Sequence, residues 1–96
     1  GAYAIGVDAD QFLTLPEASA RMLSSAMKLI TPGVAELIAA AKDGSIKAGN
    51  FTGAAGYAPY HDLDSSVPAE VKTAMEEINK GLLDGSIQTG VSPAKP

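Results

Sequence analysis

Residues 3–11, Tyr-Ala-Ile-Gly-Val-Asp-Ala-Asp-Gln, constrain this chain more than any other stretch: an apolar run of strand length that stops at two carboxylates and an amide. With β-branched Ile5 and Val7 inside it and polar residues after it, the run predicts a strand buried in a parallel sheet. Ligands of open α/β sheets collect just past the C-terminal ends of strands, because helices cover both faces and leave the only concavity there. Asp8 falls at that tip, followed by Asp10 and Gln11. A plain strand-to-loop turn accounts for the two aspartates equally well. A strand followed by Asp-x-Asp also opens phosphotransferases that use an aspartyl nucleophile and magnesium. Here Gln11, Phe12 and Leu13 follow, without the hydroxyl or glycine usual in such a loop. An EF-hand calcium loop counted from Asp8 needs glycine where Leu13 stands and glutamate where Ser19 stands, so it is excluded. No metal ligand is assigned.

The chain has 96 residues, enough for one small domain that buries roughly 60 to 65 percent of its unfolded surface. A sheet covered on both faces is hard to complete at that size, and the first strand has no preceding element to cover it. The expectation is a fragment of a larger α/β protein. The formal charge is −4 with pI about 4.7, and the seven Lys and Arg are scattered, so no basic stripe exists and nucleic acid is not an expected partner. Without cysteine there is no disulfide, thiol nucleophile or thiolate-held zinc, which leaves the compartment open. No apolar run reaches the roughly 20 residues of a membrane span, and no signal peptide is visible.

Residues 12–20 lack a clean period and contain Pro16, which predicts a loop with one helical turn. Phe12 within it suits either stacking on a ligand or packing, and packing is the commoner use. Residues 22–30 predict a short strand, because Thr31-Pro32-Gly33 reads as a fresh helix start with Thr31 as its cap. The helix that follows places Val34, Leu37, Ile38 and Ala41 on one face and stops at Asp43-Gly44. Residues 50–56 alternate between glycines, as in a strand that another backbone or a ligand approaches closely, and residues 57–62 follow as a loop. His61, the only histidine, has no acid–base partner at a recognisable spacing and reads as a surface loop residue. After Val67-Pro68 the recurrence of Val71, Met75, Ile78 and Leu82 marks the clearest amphipathic helix, ended by Asp84-Gly85. Residues 91–96 read as a disordered tail. Residues 43–49 and 84–90 echo each other, and two similar corners, each with an isoleucine turned back on the sheet, explain the echo without a duplicated function.

Four stretches in this order carry a resemblance: Ile5-Gly6-Val7-Asp8-Ala9-Asp10-Gln11, Leu23-Ser24-Ser25-Ala26-Met27-Lys28, Asp43-Gly44-Ser45-Ile46-Lys47-Ala48-Gly49 and Val67-Pro68-Ala69-Glu70-Val71. Together they resemble the C-terminal third of the basic membrane protein (BMP) family, the solute-binding lipoproteins of bacterial ABC importers, whose better known members bind purine nucleosides. The resemblance covers nearly the whole chain, and its first stretch is the most specific. It implies an α/β chain that is a C-terminal fragment of a type I periplasmic-binding-protein fold, with two lobes of parallel sheet flanked by helices. By the same resemblance, residues 1–20 belong to the C-terminal lobe and hinge, and 21–49 supply a strand and helix to the N-terminal lobe. Residues 50–90 cross back and close the fold, and 91–96 form the tail. Asp8 matches the family's acidic ligand contact and Lys28 its basic one, one from each lobe. A carboxylate accepts hydroxyl protons and an ammonium donates to the same oxygens, so such a pair suits ribose. Asp10 and Gln11 are expected supports that brace the Asp8 loop by bonding backbone amides. Where the family carries Gly-Gly-Val-Gly-Leu, this sequence has Gly53-Ala54-Ala55-Gly56-Tyr57-Ala58-Pro59.

The expected function is therefore non-enzymatic: the extracytoplasmic substrate-binding component of an ABC importer, periplasmic or lipid-anchored at the outer face of the membrane, capturing a nucleoside or similar small polar solute. Its implied partners are the solute, an ABC permease and the N-terminal part of the same protein, and no cofactor is implied. Two other readings use the same residues. One is a cytoplasmic ligand sensor or transcription regulator of the same fold, and the other a magnesium-dependent aspartyl phosphotransferase acting through Asp8 and Asp10.

Overall fold

The computed structural model describes residues 1–91, and its regular elements are three strands and three α-helices joined by short 3₁₀ turns. β1 (Ala4–Asp8), β2 (Met22–Lys28) and β3 (Ala55–Tyr57) form one sheet in the order β1-β2-β3. The chain is thus a small α/β protein, and the sheet is mixed rather than all parallel. β1 and β2 run parallel, with Asp8 opposite Met27, because the short helix α1 (Gln11–Thr14) and a 3₁₀ turn (Pro16–Arg21) carry the chain back between them. Parallel neighbours need such a crossover, whereas antiparallel ones do not. β3 pairs antiparallel with β2, Lys28 opposite Ala55 and Ala26 opposite Tyr57. Bonds from Leu29 N to Ala54 O (2.9 Å) and from Ala58 N to Ser25 O (2.8 Å) extend this ladder at both ends.

Backbone contacts divide the chain into two compact units, Gly1–Asp64 and a second beginning at Ser65. The first holds the whole sheet. Residues 1–20 and 21–49, assigned by the resemblance to different lobes, here contribute adjacent strands to one sheet. β1 is also not the buried strand its composition suggests: only Gly6 is buried, and Ile5 and Val7, which share one face, are 69% and 61% exposed.

After β2 the helix α2 (Ile30–Asp43) starts one residue before the expected cap, Thr31. Leu29 is its N-cap, with no side-chain cap bond, and Thr31 lies inside the first turn, where Pro32 is tolerated because its missing N–H has no helical partner in any case. The side of α2 that packs carries Gly33, Leu37 and Ala40, while Val34 and Ile38, expected on the inner face, are exposed. β3 begins later than expected, at Ala55, and runs into the expected loop 57–62, whose last two residues open a 3₁₀ turn, His61–Ser66.

In the second unit α3 (Ala69–Asp84) matches the periodic segment closely. α2 and α3 end in the same way, and the sequence echo has a local cause. Gly44 and Gly85 both take the left-handed conformation at φ 80, which glycine adopts without the steric penalty a Cβ brings. The Asp43 carboxylate then accepts the Ser45 amide at 2.8 Å, as Asp84 does that of Ser86. The isoleucine after each corner turns toward its own helix: Ile46 N donates to Ala40 O and Ile87 N to Gly81 O. A Cβ at Gly81 would lie 2.6 Å from the Ile87 Cδ1, so the contact that was expected to fall on the sheet falls on α3. Val91 is irregular, and the rest of the expected tail, 92–96, lies outside the described residues. Among the described residues no helix is long and apolar enough to cross a membrane.

Candidate functional site

Because β1 and β2 are parallel and end together, Asp8 and Lys28 arrive at the same edge of the sheet from the last positions of their strands. Their side chains meet: Lys28 Nζ lies 2.8 Å from Asp8 Oδ1, with the two side chains 70% and 64% exposed. The resemblance placed the two on opposite lobes, whereas here they close a single strand edge. The Asp8 carboxylate, first by its hydrogen bond and then by its charge, holds the Lys28 ammonium protonated to higher pH than an ordinary lysine. That contribution is present below the ordinary lysine value of 10.5 and is lost as pH rises through the raised one, so the pair stays intact across the neutral range. An ion pair this exposed to water adds little to stability.

Asp8 is unusual for a second reason. Its φ is 74, and the Ala9 amide donates to the Val7 carbonyl at 3.0 Å, which makes Asp8 the centre of a left-handed γ-turn. That conformation is strained for a residue with a Cβ and costs about 1 kcal/mol, least for Asp and Asn. It persists because the residues around it are fixed.

Two sets of bonds fix them. Gln11 turns back on the strand it follows, its Oε1 accepting the Val7 amide at 3.0 Å, while its own amide donates to the fully buried Ser25 Oγ at 3.0 Å. Gly6 is required beneath this bridge: a Cβ there would collide with Ser25 Oγ and stand 2.7 Å from Gln11 Oε1. Asp10 caps α1, accepting the Phe12 amide on Oδ1 at 3.2 Å, and its Oδ2 lies 2.7 Å from His61 Nε2. The His61 ring stacks on Phe12, centroids 4.1 Å apart and planes 12° from parallel.

His61 is therefore not a surface loop residue: its side chain is 22% exposed, paired with an acid that is itself 16% exposed. The partner is 51 positions away in sequence, which is why no spacing revealed it. Ser25 was likewise missed, and its only signal is its place in the Ser-Ser-x-x-Lys stretch. Phe12 packs, on an imidazole.

Beside Lys28 an open hollow of about 380 Å³ is lined by Ile30, Val34 and Leu37 from the start of α2 and by Phe51 and Ala54 from the opposite wall, all within the first unit. Its lining is mainly apolar. Among the described residues no three or more His, Asp or Glu gather as a metal would require. The arrangement can present one acceptor group and one donor group side by side, next to an apolar wall. No family model matches the chain, and no curated protein matches it.

Proposed function

We propose that this chain is the C-terminal portion of the extracytoplasmic substrate-binding component of an ABC importer, of the type I periplasmic-binding fold, which captures a nucleoside or similar small polar solute without turning it over. The observation that carries the reading is the Asp8–Lys28 pair: a carboxylate and an ammonium in contact, exposed at the C-terminal edge of two parallel strands. A pair that adds little to the fold, on an aspartate whose turn is strained, has its use outside the fold. Vicinal hydroxyls satisfy both groups at once, since each hydroxyl donates to a carboxylate and accepts from an ammonium. The apolar hollow beside Lys28 gives a flat ring somewhere to rest. The four stretches that resemble the BMP family supply the class of solute and the permease partner. With both clamp residues on one sheet, a closing lobe contributes the remaining contacts, and binding then favours closure only by contacts that are better in the closed form.

The test is calorimetry of the full-length protein against nucleosides, free bases and sugars, with Asp8→Asn and Lys28→Met alongside. Asparagine suits the left-handed backbone at position 8 and methionine keeps the Lys28 stem, so both changes remove charge and little else. Each should weaken nucleoside binding by about 1.5 to 3 kcal/mol, the usual size for hydrogen bonds to a charged group. Wild-type affinity in both variants removes the site, and magnesium-dependent phosphatase activity abolished by Asp8→Asn replaces the reading with the phosphotransferase one.

A further inference from the structure

The pairing of Asp10 with His61, the side chains only 16% and 22% exposed, touches the one corner on which the candidate site depends. Between Asp8 and α1 the chain has only Ala9 and Asp10, so the direction in which Asp8 presents its carboxylate is set by where Asp10 is held. Asp10 is held at both oxygens. Oδ1 takes the Phe12 amide and so belongs to α1, while Oδ2 takes His61, which arrives from the far side of β3 and is itself left-handed at φ 47. The imidazole then lies flat on Phe12, two residues past Asp10, so one side chain grips the corner by a bond and by a face. Left-handed residues sit at both ends of this connection, Asp8 at the strand tip and His61 at the start of its 3₁₀ turn. Strained positions of this kind persist only where their surroundings leave no alternative.

From this geometry we infer that His61 is a positioning residue for solute capture: acting through Asp10 and Phe12, it keeps Asp8 in its left-handed turn with the carboxylate against Lys28. The inference rests on the solute-binding reading for its consequence but not for its mechanism, which concerns the corner alone. His61 does not touch the solute in this account. It removes the freedom that Asp8 would otherwise lose on binding, and an ordered clamp binds more tightly than one that must be ordered by its ligand.

The experiment compares wild type, His61→Ala, His61→Gln and Phe12→Leu in the full-length protein by amide hydrogen exchange and by calorimetry with adenosine and inosine as probes. His61→Ala should raise exchange at the Ala9 and Phe12 amides about tenfold while leaving Leu29 and Ala58, whose bonds belong to the β2–β3 ladder, as they were. The same variant should weaken nucleoside binding about tenfold, and His61→Gln, which keeps a donor within reach of Asp10, should recover most of both effects. Phe12→Leu removes the stacking face alone, and it should loosen the same amides to a smaller degree; it serves in place of His61→Ala if that variant does not fold. Exchange at Ala9 and Phe12 that is unchanged, or that rises equally at Leu29 and Ala58, overturns the positioning role. So does loosening of the corner with undiminished affinity. If the corner loosens as expected while wild type binds no nucleoside, the link between His61 and Asp8 stands and the nucleoside reading falls.

Discussion

At the scale of single residues, the site is built on what position 6 lacks. Gly6 is the buried residue of β1, and the space a side chain would fill is taken by the Gln11 amide group and the Ser25 hydroxyl, which together tie the strand to the turn that follows it. Gly6→Ala therefore has to displace Ser25 or push Gln11 off the Val7 amide. The expected cost is about 1 to 3 kcal/mol, the usual penalty for overfilling a packed site, although alanine is otherwise no worse in a strand than glycine. Chemical denaturation checks it, and a Gly6→Ala protein as stable as wild type would mean that the Gln11 bridge is not holding the corner. Ile5 and Val7, on either side, are exposed and carry no such penalty when made polar.

Among the elements, the ends of α2 and α3 make a pH-dependent pair. The Ser45 hydroxyl, then its amide, holds the Asp43 carboxyl below its ordinary value of 3.8, and Ser86 does the same for Asp84. Because the folded chain prefers the charged form, the unfolded chain binds more protons as acid is added. The contribution is full above pH 3.8 and disappears as pH falls through the lowered values. Asp43→Ala with Asp84→Ala should therefore flatten the loss of stability below pH 3.8, measured by urea denaturation at pH 5 and pH 3. An acid limb as steep as that of wild type would remove these two carboxylates from the account. These elements were also the easiest to read in the sequence. Apolar residues at helical spacing followed by Asp-Gly fix where a helix lies and where it stops, because both signals are local. β1 was legible as a strand for the same reason. Its exposure was not, since that depends on what covers its faces, and the helix start at Ile30 escaped because no capping side chain marks it. At the site, Asp8 and Lys28 stood out as charges ending apolar strands, whereas the Asp10–His61 bond is a tertiary event that no local pattern announces.

For the whole chain, the telling quantity is how little of it is core. Among the described residues the buried apolar side chains are Met22, Ala58 and Val67, while Tyr3, Ile5, Val7, Ile30 and Ile38 remain largely in water. Burial of apolar surface is the main favourable term in folding, and the response to denaturant grows with the surface exposed on unfolding. The 96-residue polypeptide should accordingly unfold in urea with a slope below about 1 kcal/mol per molar, under the usual range for small domains. A slope above about 2 kcal/mol per molar would show that far more surface is removed from water than these burials imply. The left-handed turn at Asp8 leaves a different kind of mark. Its backbone suits glycine and strains every residue with a Cβ, asparagine and aspartate least, yet only aspartate brings the charge that Lys28 answers. Drift at position 8 thus has a narrow alphabet, in which a single step to asparagine keeps the turn and leaves Lys28 without its countercharge.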